Sequence, residues 1–428
     1  MSVAWNFRTC VRLARTIALT ILAGAVGQAQ TSASKPRTKA VVSRSSKVVF
    51  YAAVGNELGQ YDVDAEGATL VKRSSVLLPA NVQYAWPHPS KQYLYVAWSN
   101  RPQGNLHGVG TFRIDPLSGA LRAHGQSVSL PARPIHLATD ISGTHLLVAF
   151  NEPSGLNVYR LDRDGTIGSE EKQSAALDFG VYAHQVRVDP SNRMVVVVTL
   201  GNDPPDGKNE APGALKVFLY KDGLLTGRGS IAPNGGSGFH PRNLDFWGPF
   251  VFVSLERQNK LQVYKKLTEQ AIASEPAFSK DTLSDPRNVR PRQMAGAIHV
   301  HPSGKFVYQA NRANATTDVD GKAVFVGGEN TIAVYAINQG TGEPTLIQNI
   351  DTRGMRPGTF ALDPSGRILV VGNQEALFVR DRKGVIPVPA SLAVFRIQDD
   401  GRLEFVRKYD VETDATNSLF WVGFVSLP

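Results

Sequence analysis

One pattern recurs along this 428-residue chain. A strand-like run ends in a tight turn and a more apolar strand-like run follows. In the clearest copy, Ile298 and Val300 alternate with His299. His301-Pro302-Ser303-Gly304 then supplies turn chemistry, and Phe306 to Ala310 forms the apolar run. After an insertion, Thr331 to Ile337 and Leu346 to Ile350 add a third and a fourth strand. The same turn slot returns as His88-Pro89-Ser90, Asp140-Ile141-Ser142-Gly143, Asp189-Pro190-Ser191-Asn192 and Asp363-Pro364-Ser365-Gly366. About seven units arise, with a period of roughly 45–60 residues. The pattern predicts an all-β fold over residues 48–428, a seven-bladed β-propeller of four-stranded antiparallel blades. The unit that begins at Val48 lacks its innermost strand, and Leu419 to Val425 is left over at the other end. Pairing the two would close the ring and remove its open sheet edges.

The net charge of +9 does not describe the repeats. Residues 1–47 hold eight Lys and Arg and no Asp or Glu, so residues 48–428 carry 9 − 8 = +1. A nucleic-acid surface would need its basic residues clustered in the folded part, and none is expected. Arg8, Arg12 and Arg15 followed by the apolar run Thr16 to Val26 and the small residues Gly27-Gln28-Ala29 read as a signal peptide. The run is too short to span a bilayer. Residues 1–29 are therefore expected to be removed, residues 30–47 to form a disordered basic linker, and the mature chain to be exported, periplasmic or extracellular, with no membrane segment. The only cysteine, Cys10, precedes the apolar run, so the mature chain would have no disulfide or thiolate chemistry. It is expected to be a monomer.

In a propeller the first strand of each blade lines the axis and the second runs back behind it. The start of the first and the end of the second thus meet at one face. Aligned on their turns, the units place Gln83, Ile135, His184, Arg242, Gly296 and Gly358 at the first position. Ser99, Asn151, Leu200, Glu256, Arg312 and Gln374 fall at the second. His184, Arg242, Glu256 and Arg312 come from three adjacent units and should share one cleft. Paired guanidiniums suit an anionic or carbonyl substrate, and His184 and Glu256 are the acid/base groups of the set. Asn151, Asn311 and Gln374 are candidate partners for sugar hydroxyls, and His240 could line the mouth. Insertions at 201–213, 313–330 and 375–391 follow second strands and would wall a pocket at this face.

Around these residues the sequence resembles the lactonase family of seven-bladed propellers, which includes bacterial 6-phosphogluconolactonase and carboxy-cis,cis-muconate cyclase. The resemblance covers about residues 48–428. It is carried by His184-Gln-Val-Arg-Val-Asp-Pro190, by Gly238-Phe-His-Pro-Arg-Asn243 with Ser254-Leu-Glu256, by Ile298-His-Val-His-Pro302 with Asn311-Arg312, and by Pro134-Ile-His136-Leu. It implies hydrolysis of a sugar-acid or other anionic lactone, with His184, Arg242, Glu256 and Arg312 as catalytic residues and no cofactor. Two departures stand out. Arg356-Pro357-Gly358 leaves a glycine where relatives often carry an arginine, and an export signal fits poorly with a cytosolic sugar phosphate. A non-catalytic propeller that binds a protein or glycan, and a cycloisomerase acting on a carboxylated lactone, are the competing functions.

Other signals carry less. Asp318-Val-Asp320-Gly321 with Glu329 lacks the glycine of a calcium loop, and a single mouth glutamate beside two arginines predicts no metal. His301 stands in a slot filled elsewhere by Asp, so turn capping is expected for it. Trp98, Trp247 and Trp421 are expected in the core.

Overall fold

A computed structural model of the chain describes residues 47–173, 176–202, 210–382, 384–414 and 416–428. The expected signal peptide, Cys10 and all but the last residue of the linker lie outside the described residues. Seven antiparallel sheets follow one another along the chain. Blade 2 shows the rule, with Asn81–Pro87 innermost, then Tyr93–Ser99, His107–Ile114 and Leu121–Ser129 outward. Blades 3, 4, 5, 6 and 7 begin with Pro134–Thr139, Ala183–Val188, Pro241–Trp247, Met294–Val300 and Met355–Leu362. Blade 1 takes Val48–Val54, Glu57–Asp64 and Thr69–Leu77 from the start of the chain and Leu419–Ser426 from its end. The closing pair is antiparallel, with Val48 opposite Ser426 and Ala52 opposite Val422.

Each seam between neighbouring blades is a separate apolar core, and seven such clusters complete the circuit. The last of them joins blade 7 to blade 1, packing Ile368, Val370 and Leu392 against Phe50, Ala52, Leu419 and Val422. Tyrosines in second strands reach across three seams. Tyr51, Tyr95 and Tyr308 donate to the carbonyls of Gly119, Gly165 and Gly401 in the next blade's outer turn, at 2.6, 3.0 and 2.9 Å. Glycine is required there twice over. Gly165 has φ +81°, and a Cβ on it would lie 2.4 Å from the Tyr93 ring. The turn histidines make a second set of ties. His301 bonds Ser303 Oγ at 2.7 Å, as a turn cap, and also the carbonyl of Gly366 in blade 7 at 2.9 Å.

Two expectations need correction. The insertions at 313–330 and 375–391 do not wall the axial hollows. Thr316–Val319 with Lys322–Phe325 forms one hairpin, and Leu377–Asp381 with Gly384–Val388 another. The hairpins join in parallel at Val324 and Phe378 into an eighth sheet. β-Branched and aromatic residues suit such pairing, and two hairpins together bury what neither could alone. Asp318 accepts from Gly321 N at 3.2 Å, so the supposed calcium loop is the first hairpin's turn. Trp247 is 36% exposed, because it sits at the outer end of its strand rather than in the core.

Leu419 is fully buried in the closing seam. Leu419→Ala should cost about 2–5 kcal/mol of unfolding free energy, read by urea denaturation. A loss below about 1 kcal/mol would mean that this strand does not hold the ring shut.

Candidate active site

Every innermost strand carries one extra residue at the same height. The register skips Gln83 in blade 2, Ile135 in blade 3, His184 in blade 4, Arg242 in blade 5 and Gly358 in blade 7. In blade 6, Gly296 and Ala297 together face the single residue Ala310. In blade 1, Phe420 is skipped between Leu419 and Trp421. These are β-bulges, and they coincide with the slots found by aligning the repeats. In a regular strand consecutive side chains point to opposite faces. A bulge re-aims one of them, and in six of the seven blades two neighbours therefore face the axis together: Gln83 and Tyr84, Ile135 and His136, His184 and Gln185, Arg242 and Asn243, Gly358 and Thr359, Phe420 and Trp421. In blades 4, 5 and 7 a residue in the left-handed region precedes the bulge by two positions: Tyr182, His240 and Arg356.

Two hollows meet at this ring. A narrow channel of about 120 Å³ runs along the axis, and an open hollow of about 650 Å³ lies at the mouth. His184, Arg242, Ile135 and Phe420 line both. Glu256 borders the mouth and Arg312 the channel. Arg242 Nη1 donates to Glu256 Oε2, and Arg312 Nη2 donates to the same oxygen at 2.9 Å. Burial alone would raise the Glu256 carboxyl, but Arg242 and Arg312 outweigh it and hold it at about 2. Burial, then Arg242, lowers the Arg312 guanidinium, while Glu256 opposes both. Desolvation drives His184 well below its ordinary value, Arg242 pushes the same way and Glu256 resists. His184 keeps part of its surface open and lines both hollows. The cluster at neutral pH is thus a carboxylate between two guanidiniums beside a neutral imidazole.

The cluster also holds unused hydrogen-bonding capacity. His184 Nδ1, Arg242 Nε and Arg312 Nε are buried and have no partner among the described residues. Buried polar atoms are usually paired, and such groups at a cavity are suited to a ligand.

The four residues expected to be catalytic thus share one place, and Gln374 lines the same channel. The other expected binding residues lie outside both hollows. Asn311 spends its amide on the Thr282 carbonyl at 2.7 Å and on Thr331 Oγ1 at 3.0 Å. His240 is held between the Leu200 carbonyl at 2.9 Å and Glu210 at 3.1 Å. Asn151 is buried at the end of its strand. Sequence reasoning missed His136, His299 and Tyr84, which line the channel. His136 packs against Tyr84 with ring centroids 3.9 Å apart and planes tilted by 36°, and neither of its ring nitrogens has a partner among the described residues. Tyr84 and His136 stand one position past their aligned slots, and His299 three past Gly296. Trp421 packs in the first seam and also faces the channel. Arg356, displaced from its slot, pairs instead with Glu375. Among the described residues, no three His, Cys, Asp or Glu side chains are placed to hold a metal ion.

The model of the lactonase family of seven-bladed β-propellers matches residues 40–380. The chain belongs to this family. It is 26% identical over 350 residues to a 6-phosphogluconolactonase of Bacillus subtilis (strain 168), covering 78% of this chain and 90% of the relative. A 6-phosphogluconolactonase of Formosa agariphila is 25% identical over 334 residues, covering 75% and 86%. Among solved structures, the periplasmic gluconolactonase of Pseudomonas aeruginosa superposes with a TM-score of 0.63 at 19% identity, covering 90% of this chain and all of that one. At that identity the match speaks to the fold. The lactonase family match stops at residue 380, so the closing strand Leu419–Ser426 lies beyond it.

Two stability tests follow from the electrostatics. Glu256→Gln leaves two buried guanidiniums without their counter-ion and should cost about 3–5 kcal/mol in chemical denaturation, against little change for a surface Glu. A cost near zero would contradict the ion-pair assignment. The second test uses pH. Burial holds His136, His184 and His299 below the ordinary 6.5. Unfolded imidazoles take up protons below that value and the buried ones do not, so their stability contribution is complete above about pH 6.5 and is lost as pH falls below it. The urea midpoint should drop between about pH 7 and about pH 5, and less steeply in His136→Phe. A flat wild-type profile would contradict the assignment.

Proposed function

We propose that this protein hydrolyses a sugar-acid lactone at the mouth of the propeller axis, with His184 as general base and Arg242 and Arg312 as stabilisers of the oxyanion. Membership of the lactonase family carries the reaction class, hydrolysis of a cyclic carboxylic ester. What supports the assignment of roles is that His184 and Arg242 line both hollows and Arg312 the channel, and that His184 Nδ1 and the Nε of each arginine are buried without a partner among the described residues.

In the proposed reaction a water molecule attacks the lactone carbonyl carbon and gives up its proton to His184 Nδ1. The carbonyl oxygen becomes an oxyanion that accepts from the Nε groups of Arg242 and Arg312. Donors fixed before the reaction pay no reorganisation cost as the charge develops. The tetrahedral centre collapses, the ring C–O bond breaks, and His184 returns the proton to the leaving alkoxide. The open-chain hydroxy acid is the product. Glu256 is a poor base when two guanidiniums hold its pKa at about 2. Its part is to fix both arginines and to offset one of their charges. The depressed pKa of His184 keeps the imidazole neutral below pH 6.5, so activity should persist into mild acid.

The same reading takes the mature protein as exported, on the basic, apolar and small-residue order of residues 1–29. The structural relative from Pseudomonas aeruginosa is named a periplasmic enzyme. Among the described residues, no helix is long and apolar enough to cross a membrane.

The test is a lactone panel on the mature chain and its variants. His184→Ala and Arg312→Ala should each lower kcat/KM by about 10²–10³-fold with folding retained. Unchanged turnover in both folded variants would remove this site.

A further inference from the structure

Arg133 and Arg257 also border the mouth hollow, and the roles above leave both unused. Arg133 enters blade 3 two residues before the bulge at Ile135 and borders the same hollow as His184, Arg242 and Glu256. Its Nε donates to Gln83 Oε1 at 2.7 Å. Gln83 is the bulge residue of blade 2, is 5% exposed, and is fixed in turn by donating to the Asn81 carbonyl at 3.0 Å. The guanidinium is therefore held by its inner edge, and its two terminal nitrogens make no hydrogen bond or ion pair among the described residues. The neighbouring carboxylate, Glu152, is already paired with Arg101 at 2.9 Å. Burial lowers the Arg133 guanidinium from its ordinary value, as expected for a cation without a counter-ion of its own. Arg242 and Arg312, in contrast, are both tied to Glu256. A carboxylate or phosphate placed across their terminal nitrogens would have to compete with that carboxylate.

We propose that Arg133 is an anion-recognition residue of the mouth: it takes the terminal carboxylate or phosphate of a lactone whose ring lies against His184 and Arg242. The inference rests on the lactonase reading for the position of the ring, but not for the anion site itself. The end of a guanidinium offers two parallel N–H donors, which match two oxygens of a carboxylate or phosphate. With its Nε fixed by Gln83, little rotational freedom is lost on binding. Gln83 acts as a positioning residue. The substrate class is then an anionic aldonolactone rather than a neutral one.

The test has a kinetic arm and a binding arm, both on the mature protein and Arg133→Gln. In the first, KM and kcat are measured for 6-phosphogluconolactone, a glucarolactone and gluconolactone. Loss of a charged hydrogen-bond pair should raise KM about 10–100-fold for whichever anionic lactone the site takes, with kcat little changed and the neutral lactone affected far less. The larger effect of the two separates phosphate from carboxylate. Equal losses on all three lactones, or none on the anionic pair, would overturn the proposal. In the second arm, 6-phosphogluconate, glucarate and gluconate are titrated calorimetrically. Arg133-dependent binding of an anionic acid by a protein that hydrolyses none of the lactones would keep the anion site and sink the hydrolase reading. Absence of binding to wild type, or binding unaffected by Arg133→Gln, would sink the anion site. If Arg133→Gln does not fold, Gln83→Leu, which removes the guanidinium's anchor and keeps its charge, is held to the same comparison.

Discussion

One extra residue in each innermost strand is the constraint on which the site depends. A propeller built of regular strands would aim only alternate side chains at its axis. The bulges at Gln83, Ile135, His184, Arg242, Gly358 and Phe420, and at the Gly296–Ala297 pair, add a further position at one height around the ring. The seven apolar seams and the closing strand keep these positions in register. Chemistry at the mouth is then a choice of side chain at a prepared point. Blades 4 and 5 place His and Arg there, while blades 1, 3 and 7 place Phe, Ile and Gly. The site is accordingly lopsided, with the Glu256 ion-pair cluster and His184 on the side of blades 4 to 6.

Charge decides what the polar side can do. Burial alone would raise the Glu256 carboxyl, and two guanidiniums reverse that shift. The price of holding three charges together is desolvation, which mutual attraction and hydrogen bonds offset. In return the arginines are fixed, and His184 is left neutral beside them. A neutral imidazole next to fixed donors is suited to taking a proton from water. A protonated one would be repelled by both arginines. The same logic separates Arg133 from the cluster, since it is held by a neutral amide and keeps its charge for a ligand.

Much of this was legible in the sequence, because the turns repeat. Aligning Asp189-Pro-Ser-Asn192 with His301-Pro-Ser-Gly304 and their fellows placed His184, Arg242, Glu256 and Arg312 at one face before any coordinates. Closure was legible from the missing strand at Val48 and the spare one at Leu419. The bulges were not, since nothing local marks one extra residue in a strand of valines and histidines. Without them nothing marks His136, Tyr84 and His299 as lining the axis. Asn311 and His240 were expected at the pocket, but the Asn311 amide nitrogen is bonded to Thr282 and the His240 ring to Leu200, and neither side chain lines a hollow. The joining of two insertions at Val324 and Phe378 is a contact between distant segments, which no local pattern specifies.

The central claim is that His184 is a neutral, ligand-facing base. It is tested most directly by the imidazole nitrogen chemical shifts of protein labelled at histidine, with His184 assigned from the spectrum of His184→Asn. The expected result is a neutral ring that does not titrate at or above pH 6.5 and whose Nδ1 resonance moves when a sugar acid binds. A ring that is protonated at neutral pH, or that ignores every bound sugar acid, would contradict the account.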